Sequence, residues 1–486
     1  MTVYKPQGVD VTINDNPNII NSAGIQRVPA IIGLGPSTVV VTDEAVVRGT
    51  GSIDLLSVTP NTISSITKVS NTPGVTGGLS YALVSANGNL YQSSSASVSN
   101  TVNNSGVSWT GSGVDIPSAG SIYYISYVSV PGVDQYNPIE YFDKDSIIAK
   151  YGSENTSTGI LTIAGSIVLE NGSPSVILCQ ASGSSYSEVA YKAAIDKLQK
   201  RTNVSDILAV FPSGSVTRVQ QESLQTYLIS HTQVMNNNKK ERGCVLGSPS
   251  IYTAASDGFD VIGDTTVNPS YAYRATALKN RNHIYIVPSY CTRVDANGNI
   301  MKLDGNYAAC GYVGVSAAQA KESTPINGFA VTGINIEDDK WNDYELNQLG
   351  ANNCTALVST SGVITINRSL TTDPTSADTQ EPSVVKIQRL VKRTLRNGLA
   401  NTYTNKGKII TDTTVNDVTS STISLLQGLI NDGEIALYGT QDNPLTGETK
   451  ISSKQDPNEP RRIITTCSYK PSYPLIWISI TVNTFV

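Results

Sequence analysis

Residues 474–486 read Pro-Leu-Ile-Trp-Ile-Ser-Ile-Thr-Val-Asn-Thr-Phe-Val, and no other stretch narrows the possible architectures as sharply. Ile476, Ile478, Ile480 and Val482 fall on one face, and Trp477, Ser479, Thr481 and Asn483 fall on the other. A period of two in β-branched and aromatic residues predicts a strand. No hairpin partner follows it in the chain, so its backbone donors and acceptors must pair elsewhere, and an unpaired strand invites pairing with another chain. The opening residues repeat the pattern: Val9, Val11 and Ile13 alternate with Asp10, Thr12 and Asn14. A strand-like arm at each end predicts a homo-oligomer in which arms lace neighbouring copies together.

Size and charge narrow the function classes. The 486 residues imply about two to four domains of ~150 residues each. Charged residues make up 15% of the chain and the net charge is −5, which gives no whole-chain argument for a nucleic-acid or anionic-membrane partner. The first residues are polar and contain Pro6 and Gly8, unlike a signal peptide. No apolar run reaches the ~18 residues of a membrane span. The expectation is a protein made and kept in the cytoplasm, without membrane insertion, unless it leaves by lysis or within a particle. Cys179, Cys244, Cys291, Cys310, Cys354 and Cys467 are scattered without a Cys-x-x-Cys pair, and His231 and His283 are the only histidines. A zinc site is therefore not expected, and the thiols read as reduced and mostly buried. Cys467 precedes the terminal strand and is the candidate for an inter-subunit disulfide.

Texture along the chain suggests its organisation. Residues 1–22 form an N-terminal arm, and Val28-Pro29-Ala30-Ile31-Ile32-Gly33 is a short apolar strand of the kind buried in a mixed or parallel sheet. Residues 41–135 are rich in Ser, Thr, Val, Gly and Asn, with short alternating runs between turn signals. They predict an inserted β-sandwich or barrel. Beyond them, 143–150 form a short turn, and Leu161 to Leu169 is an apolar run. Apolar strands at 176–179, 207–211, 245–247 and 284–287 then alternate with helical segments that start near Ser187 and at the Thr217–Gln220 capping box. Small residues over 307–320 predict a closely packed helix. A hairpin with Ser361-Gly362 at its turn, helices over 383–399 and 415–431, and strands over 462–469 and 475–485 complete the chain. The predicted fold class is α/β (α+β): a core over 23–40 and 136–465 with a mixed sheet and flanking helices, an inserted all-β domain, and strand arms at 1–22 and 466–486.

Catalytic signals are almost absent. There is no phosphate loop, no Gly-x-Ser-x-Gly elbow and no His-Glu-x-x-His pair. Gly33-Leu34-Gly35 lacks a third glycine and is followed by Pro36. His231 lies on an apolar helix stripe, where a hydrogen-bonded core residue is the simpler reading than a general base; His283 enters a strand. Asp257, Asp260 and Asp264 are the best carboxylates for a hard cation, yet their spacing fits capped turns better. No catalytic residue, metal or cofactor is expected. On the helix over 383–399, Lys386, Arg389, Arg393 and Arg396 repeat at three- and four-residue steps beside the apolar stripe. They read either as a solvated face or as a surface for an acidic partner.

The order of several short motifs resembles the tail sheath proteins of contractile bacteriophage tails and their relatives. Tyr4-Lys5-Pro6-Gln7-Gly8-Val9 is similar to the family's opening arm, with Gln7 separating Pro6 from Gly8, and Val28 to Gly33 to its first strand. Asn137-Pro138, Leu169-Glu170-Asn171-Gly172, the segment from Val219 to Met235, Cys244-Val245-Leu246 and Pro471-x-x-Pro474 with its Ile-rich strand follow in the family's order. The resemblance implies a non-enzymatic virion subunit that stacks as hexameric discs, a helical homo-oligomer, around a tail tube protein. Its further partners would be baseplate and tail terminator or neck proteins. Contraction would drive the tube through the host envelope. It also implies strand addition through Val9, Val11, Ile13, Ile476, Ile478, Ile480 and Val482. Lys386, Arg389, Arg393 and Arg396 would then face the tube, and the β insertion would face outward. The sheath of a related contractile injection system is the nearest alternative, and a β-rich surface adhesin is one from a different class.

Overall fold

The computed structural model describes residues 28–36, 38–57, 63–75, 91, 95–100, 105–129, 136–212, 214, 216–248, 271–288, 291–295, 297–404, 408–438, 451–467 and 469–472. The expected arm at 1–22, the strand over 475–485 and the Asp257, Asp260 and Asp264 cluster lie outside the described residues.

The apolar runs that carried no alternation are buried on both faces, because they are the middle of one sheet. β1 (Val28–Leu34) starts it. Six strands follow before the chain returns to that sheet: β2 (Val39–Val47), β3 (Ile53–Leu55), β4 (Ile63–Ser70), β5 (Ala96–Asn100), β6 (Ser105–Trp109) and β7 (Ile122–Ser129). They form two three-stranded antiparallel sheets, β2-β7-β4 and β3-β6-β5. These sheets enclose an apolar cluster of their own, with Val46, Val69, Val107, Tyr123, Ile125 and Tyr127 buried.

β8 (Ile139–Tyr141) and α1 (Lys144–Tyr151) follow. The stretch read as a turn is an eight-residue helix, because Asp143 caps it by accepting the Ser146 N–H at 2.7 Å. Next come α2 (Ile160–Glu170), β9 (Val176–Ala181), α3 (Glu188–Lys197), β10 (Val204–Ala209), α4 (Arg218–Asn237) and β11 (Gly243–Gly247). After them the chain forms α5 (Tyr271–Ala277), β12 (His283–Val287), β13 (Cys291–Val294), β14 (Ile300–Leu303) and α6 (Gly305–Ala318). α7 (Asp343–Ala351), β15 (Thr355–Thr360) and β16 (Val363–Ile366) close this part. The eight-stranded sheet runs β16-β15-β12-β11-β10-β1-β9-β8. Its inner strands, β9 to β15, are parallel, and both edge strands are antiparallel. The result is a mixed sheet between helical layers, with α2 and α6 packed on each other and α3 beside α4.

The expected close helix packing has a local cause. A Cβ on Gly314 would lie 2.6 Å from the Val168 carbonyl oxygen, so glycine lets α6 rest on α2 there, and one on Gly311 would lie 2.4 Å from Val331 Cγ1, in the segment that follows α6. Nine consecutive residues of α2, Ile160 to Val168, are buried. The capping box at Thr217 and Gln220 and the cap at Ser187 stand where the sequence puts them.

The chain leaves this unit through α8 (Ala377–Gln380) and enters α9 (Pro382–Leu399) and α10 (Asp412–Asn431). Four short strands follow: β17 (Ile435–Tyr438), β18 (Ser452–Gln455), β19 (Ile463–Thr466) and β20 (Tyr469–Pro471), paired as β17-β20 and β18-β19. Val384, Ile387, Val391 and Leu395 of α9 meet Leu426 and Leu429 of α10, Ile435, Ile451 and Tyr469 in a second core, which shares no residue with the core of the large sheet.

Candidate functional site

The chemistry of α9 follows from its two faces. Pro382 at its start presets the first turn, and no other proline interrupts it. Its apolar stripe closes the second core. Its basic stripe points the other way, and here the structure corrects the expectation of an open cationic surface. Arg389 and Arg393 are buried. Arg389 Nη1 donates to Asp206 Oδ1 at 3.3 Å, and Arg393 Nη2 to Glu322 Oε1 at 2.8 Å. Arg396 holds Glu241 and donates to the Lys239 carbonyl at 2.6 Å, while Lys386 bonds the Ser316 hydroxyl. Glu434, just ahead of β17, adds a contact from the same side by accepting the Glu322 and Ser323 N–H groups at 3.0 and 2.9 Å. The three arginines therefore join the C-terminal unit to the large α/β unit, and any tube contact through them would have to displace carboxylates of their own chain. The reason is electrostatic: a guanidinium taken out of water needs a charged acceptor.

Gly243 belongs to the same arrangement. A Cβ there would lie 2.1 Å from Asp206 Oδ1 and 2.6 Å from Arg389 Nη1. Nothing in the sequence linked Asp206 to Arg389, or Glu241 and Glu322 to their arginines.

The small sheet β17-β20 belongs to the C-terminal unit. Among the described residues β17 and β20 form a two-stranded sheet. Its inner side is anchored by buried Ile435 and Tyr469. The large sheet has protected edges: Gly328 N–H donates to the Ile366 carbonyl at 2.7 Å and Val331 N–H to the Ile364 carbonyl at 2.9 Å, covering β16, while β8 is only three residues long. β20 lies immediately before the alternating residues 474–486. Val9, Val11, Ile13, Ile476, Ile478, Ile480 and Val482 are outside the described residues. Cys467 is half-buried against the second core with a free thiol, which burial pushes up to about 11.

Groups that could do chemistry are instead held in the core. Burial, with the Arg242 charge at 3.3 Å, pulls His231 down to about 4. Burial does the same to His283, whose Nδ1 lies 3.3 Å from the Leu278 carbonyl oxygen. Both rings are neutral near pH 7. The other five cysteines are buried, and burial raises every one of their thiols. Among the described residues no group of three His, Cys, Asp or Glu could hold a metal ion, and no helix is long and apolar enough to cross a membrane.

Comparison with solved structures decides the fold. The anti-feeding prophage helical sheath in its contracted state superimposes with a TM-score of 0.56 at 9% identity, over 99% of this chain and 100% of that one. The chain has the fold of a contractile sheath protein. The contracted sheath of PVC, an extracellular contractile injection system, matches this sheath fold with a TM-score of 0.52 at 11% identity, covering 72% of this chain and 87% of that one. A chain of the anti-feeding prophage baseplate matches with a TM-score of 0.51 at 12% identity over both full lengths. No protein-family model and no curated protein matches the sequence.

Proposed function

We propose that this chain is the structural subunit of a contractile sheath, polymerising as stacked hexameric discs around an inner tube and driving that tube through a bacterial envelope when it contracts. The observation that carries this reading is the end-to-end match to a helical sheath, in which both chains are covered almost completely. The alternating terminal segment that follows β20 supplies the means of polymerisation. A strand from one copy adds to the sheet of the next, with backbone hydrogen bonds giving strength and the alternation of Ile476, Ile478, Ile480 and Val482 setting register. Val9, Val11 and Ile13 do the same at the other arm. Such contacts are heterologous, so they propagate a helix. The tube protein, a baseplate and a terminator at the far end are the partners this role requires. The β-sheets of β2 to β7 face outward, clear of the tube.

The same subunit serves a bacteriophage tail or an injection system such as the anti-feeding prophage and PVC, whose sheath proteins are similar in fold. Neither use needs catalysis. The reading is tested with a variant ending before Pro474 and a synthetic peptide of residues 474–486. The variant should remain unassembled and bind the peptide, and a peptide with Ile478 and Ile480 replaced by Asp should not bind. Assembly of the truncated variant at the wild-type threshold would overturn strand addition as the means of polymerisation.

A further inference from the structure

The joint between the two cores has a construction of its own. Each core closes without help from the other: the large one around β1, β9, β10, β11 and β12, the small one around α9 and α10. Between them lie the Arg389–Asp206, Arg393–Glu322 and Arg396–Glu241 pairs, the Lys386–Ser316 bond and the Glu434 carboxylate on two backbone N–H groups. A small recess of about 20 Å³, partly open to solvent, is lined by Asp206, Ser316, Glu322, Lys386, Arg389 and Arg393. Apolar packing loses stability gradually as its surfaces part, whereas ion pairs and charged hydrogen bonds are directional and are either made or replaced by water. The replacement also restores hydration to charges that were expensive to bury. The connection between the described parts of the two units is short as well: the chain passes from the large unit into α9 at Glu381 and Pro382.

We propose that this charged seam is a two-state joint, at which α9, α10 and β17 to β20 detach as one body from the large α/β unit while both apolar cores stay closed. The inference does not depend on the sheath reading, since it rests on the two cores and the contacts between them. In the closed state the guanidiniums are shared with Asp206, Glu241 and Glu322; in the open state both sets are hydrated. The two sides of the seam then belong to separate cooperative units.

Native-state hydrogen exchange on the full chain tests it. The Glu322 and Ser323 amides donate across the seam to Glu434, so they report its opening directly. In the wild-type protein they should exchange at least a hundredfold faster than the amides of β1, β9 and β10. The amides of α9 and α10 should keep a common, slower rate. Glu322→Gln, which keeps shape and removes one charge, should speed the seam amides about tenfold further and leave the β1, β9 and β10 amides unchanged. Exchange of Glu322 and Ser323 at the rate of the large sheet in the wild-type protein would overturn the proposal. So would loss of protection throughout α9 and α10 at the moment the seam opens. The wild-type measurement stands by itself, whatever the variant does.

Discussion

Asp54 ties the two small sheets between β1 and β8 to each other, and its removal should melt them alone. Its carboxylate is fully buried. It accepts from Arg48 Nη1 at 3.1 Å, the Gly49 N–H at 2.8 Å, Trp109 Nε1 at 3.0 Å and the Tyr123 hydroxyl at 3.1 Å. Asp54→Ala leaves the Trp109 and Tyr123 donors in an apolar cluster without an acceptor, at about 1–3 kcal/mol each. Arg48 loses less than a fully buried cation would, because its guanidinium also reaches the Gly49 and Gly51 carbonyls at 2.7 and 3.2 Å. The two donors together cost about 2–6 kcal/mol, whose upper end is comparable with the whole stability of a small domain. Urea unfolding should therefore split. Trp109 fluorescence, which reads the edge-on ring contacts with Tyr91 and Tyr123, should change well before the far-ultraviolet signal of the helices. A single coincident transition in the variant, at any denaturant concentration, would refute the reasoning, because it would make these sheets part of one cooperative unit with the core.

Further outcomes follow from other positions. His231 and His283 sit near 4 in the fold and near 6.5 unfolded, so each contributes stability above pH 6.5 that is lost as pH falls toward 4, up to about 3 kcal/mol each. Burial raises Asp304 and Glu381 to about 7, and they work in the opposite direction over the same range. Replacing both histidines by Gln should leave stability that increases as pH drops from 7 to 4, measured by denaturant midpoints; a slope equal to wild type would remove the histidines from the account. Gly243→Ala forces a methyl into the Asp206–Arg389 pair and should lower stability by about 1–3 kcal/mol by thermal unfolding, with an unchanged midpoint as the contrary result. Cys467, with its thiol near 11, should react slowly with a thiol reagent at pH 8, and assemblies should run as monomers on non-reducing gels; a disulfide-linked ladder would show that Cys467 leaves the second core on assembly.

The elements that were legible are those whose burial is local. Strands at 176–179, 207–211, 245–247 and 284–287 are apolar because both faces are covered, and Thr217 with Gln220 satisfies the first turn of α4 within four residues. The capping box of α7, Asn342 with Glu345, carried the same signal and went unread because its helix has only Leu349 buried. The β13-β14 hairpin was missed because its middle is fixed by distant contacts, above all Arg293 with Glu154 and Glu170, 139 and 123 residues away. The basic stripe of α9 had the right period and the wrong exposure. Its carboxylates lie 183, 71 and 155 residues from Arg389, Arg393 and Arg396, and periodicity says which face a residue shares without saying what covers that face.

Electron microscopy of the purified full-length chain, at several salt and protein concentrations, tests the sheath account most directly. The account predicts rings or tubes with helical order and a hexameric disc as the repeat. Monodisperse monomers under every condition, or a closed dimer without further growth, would contradict it.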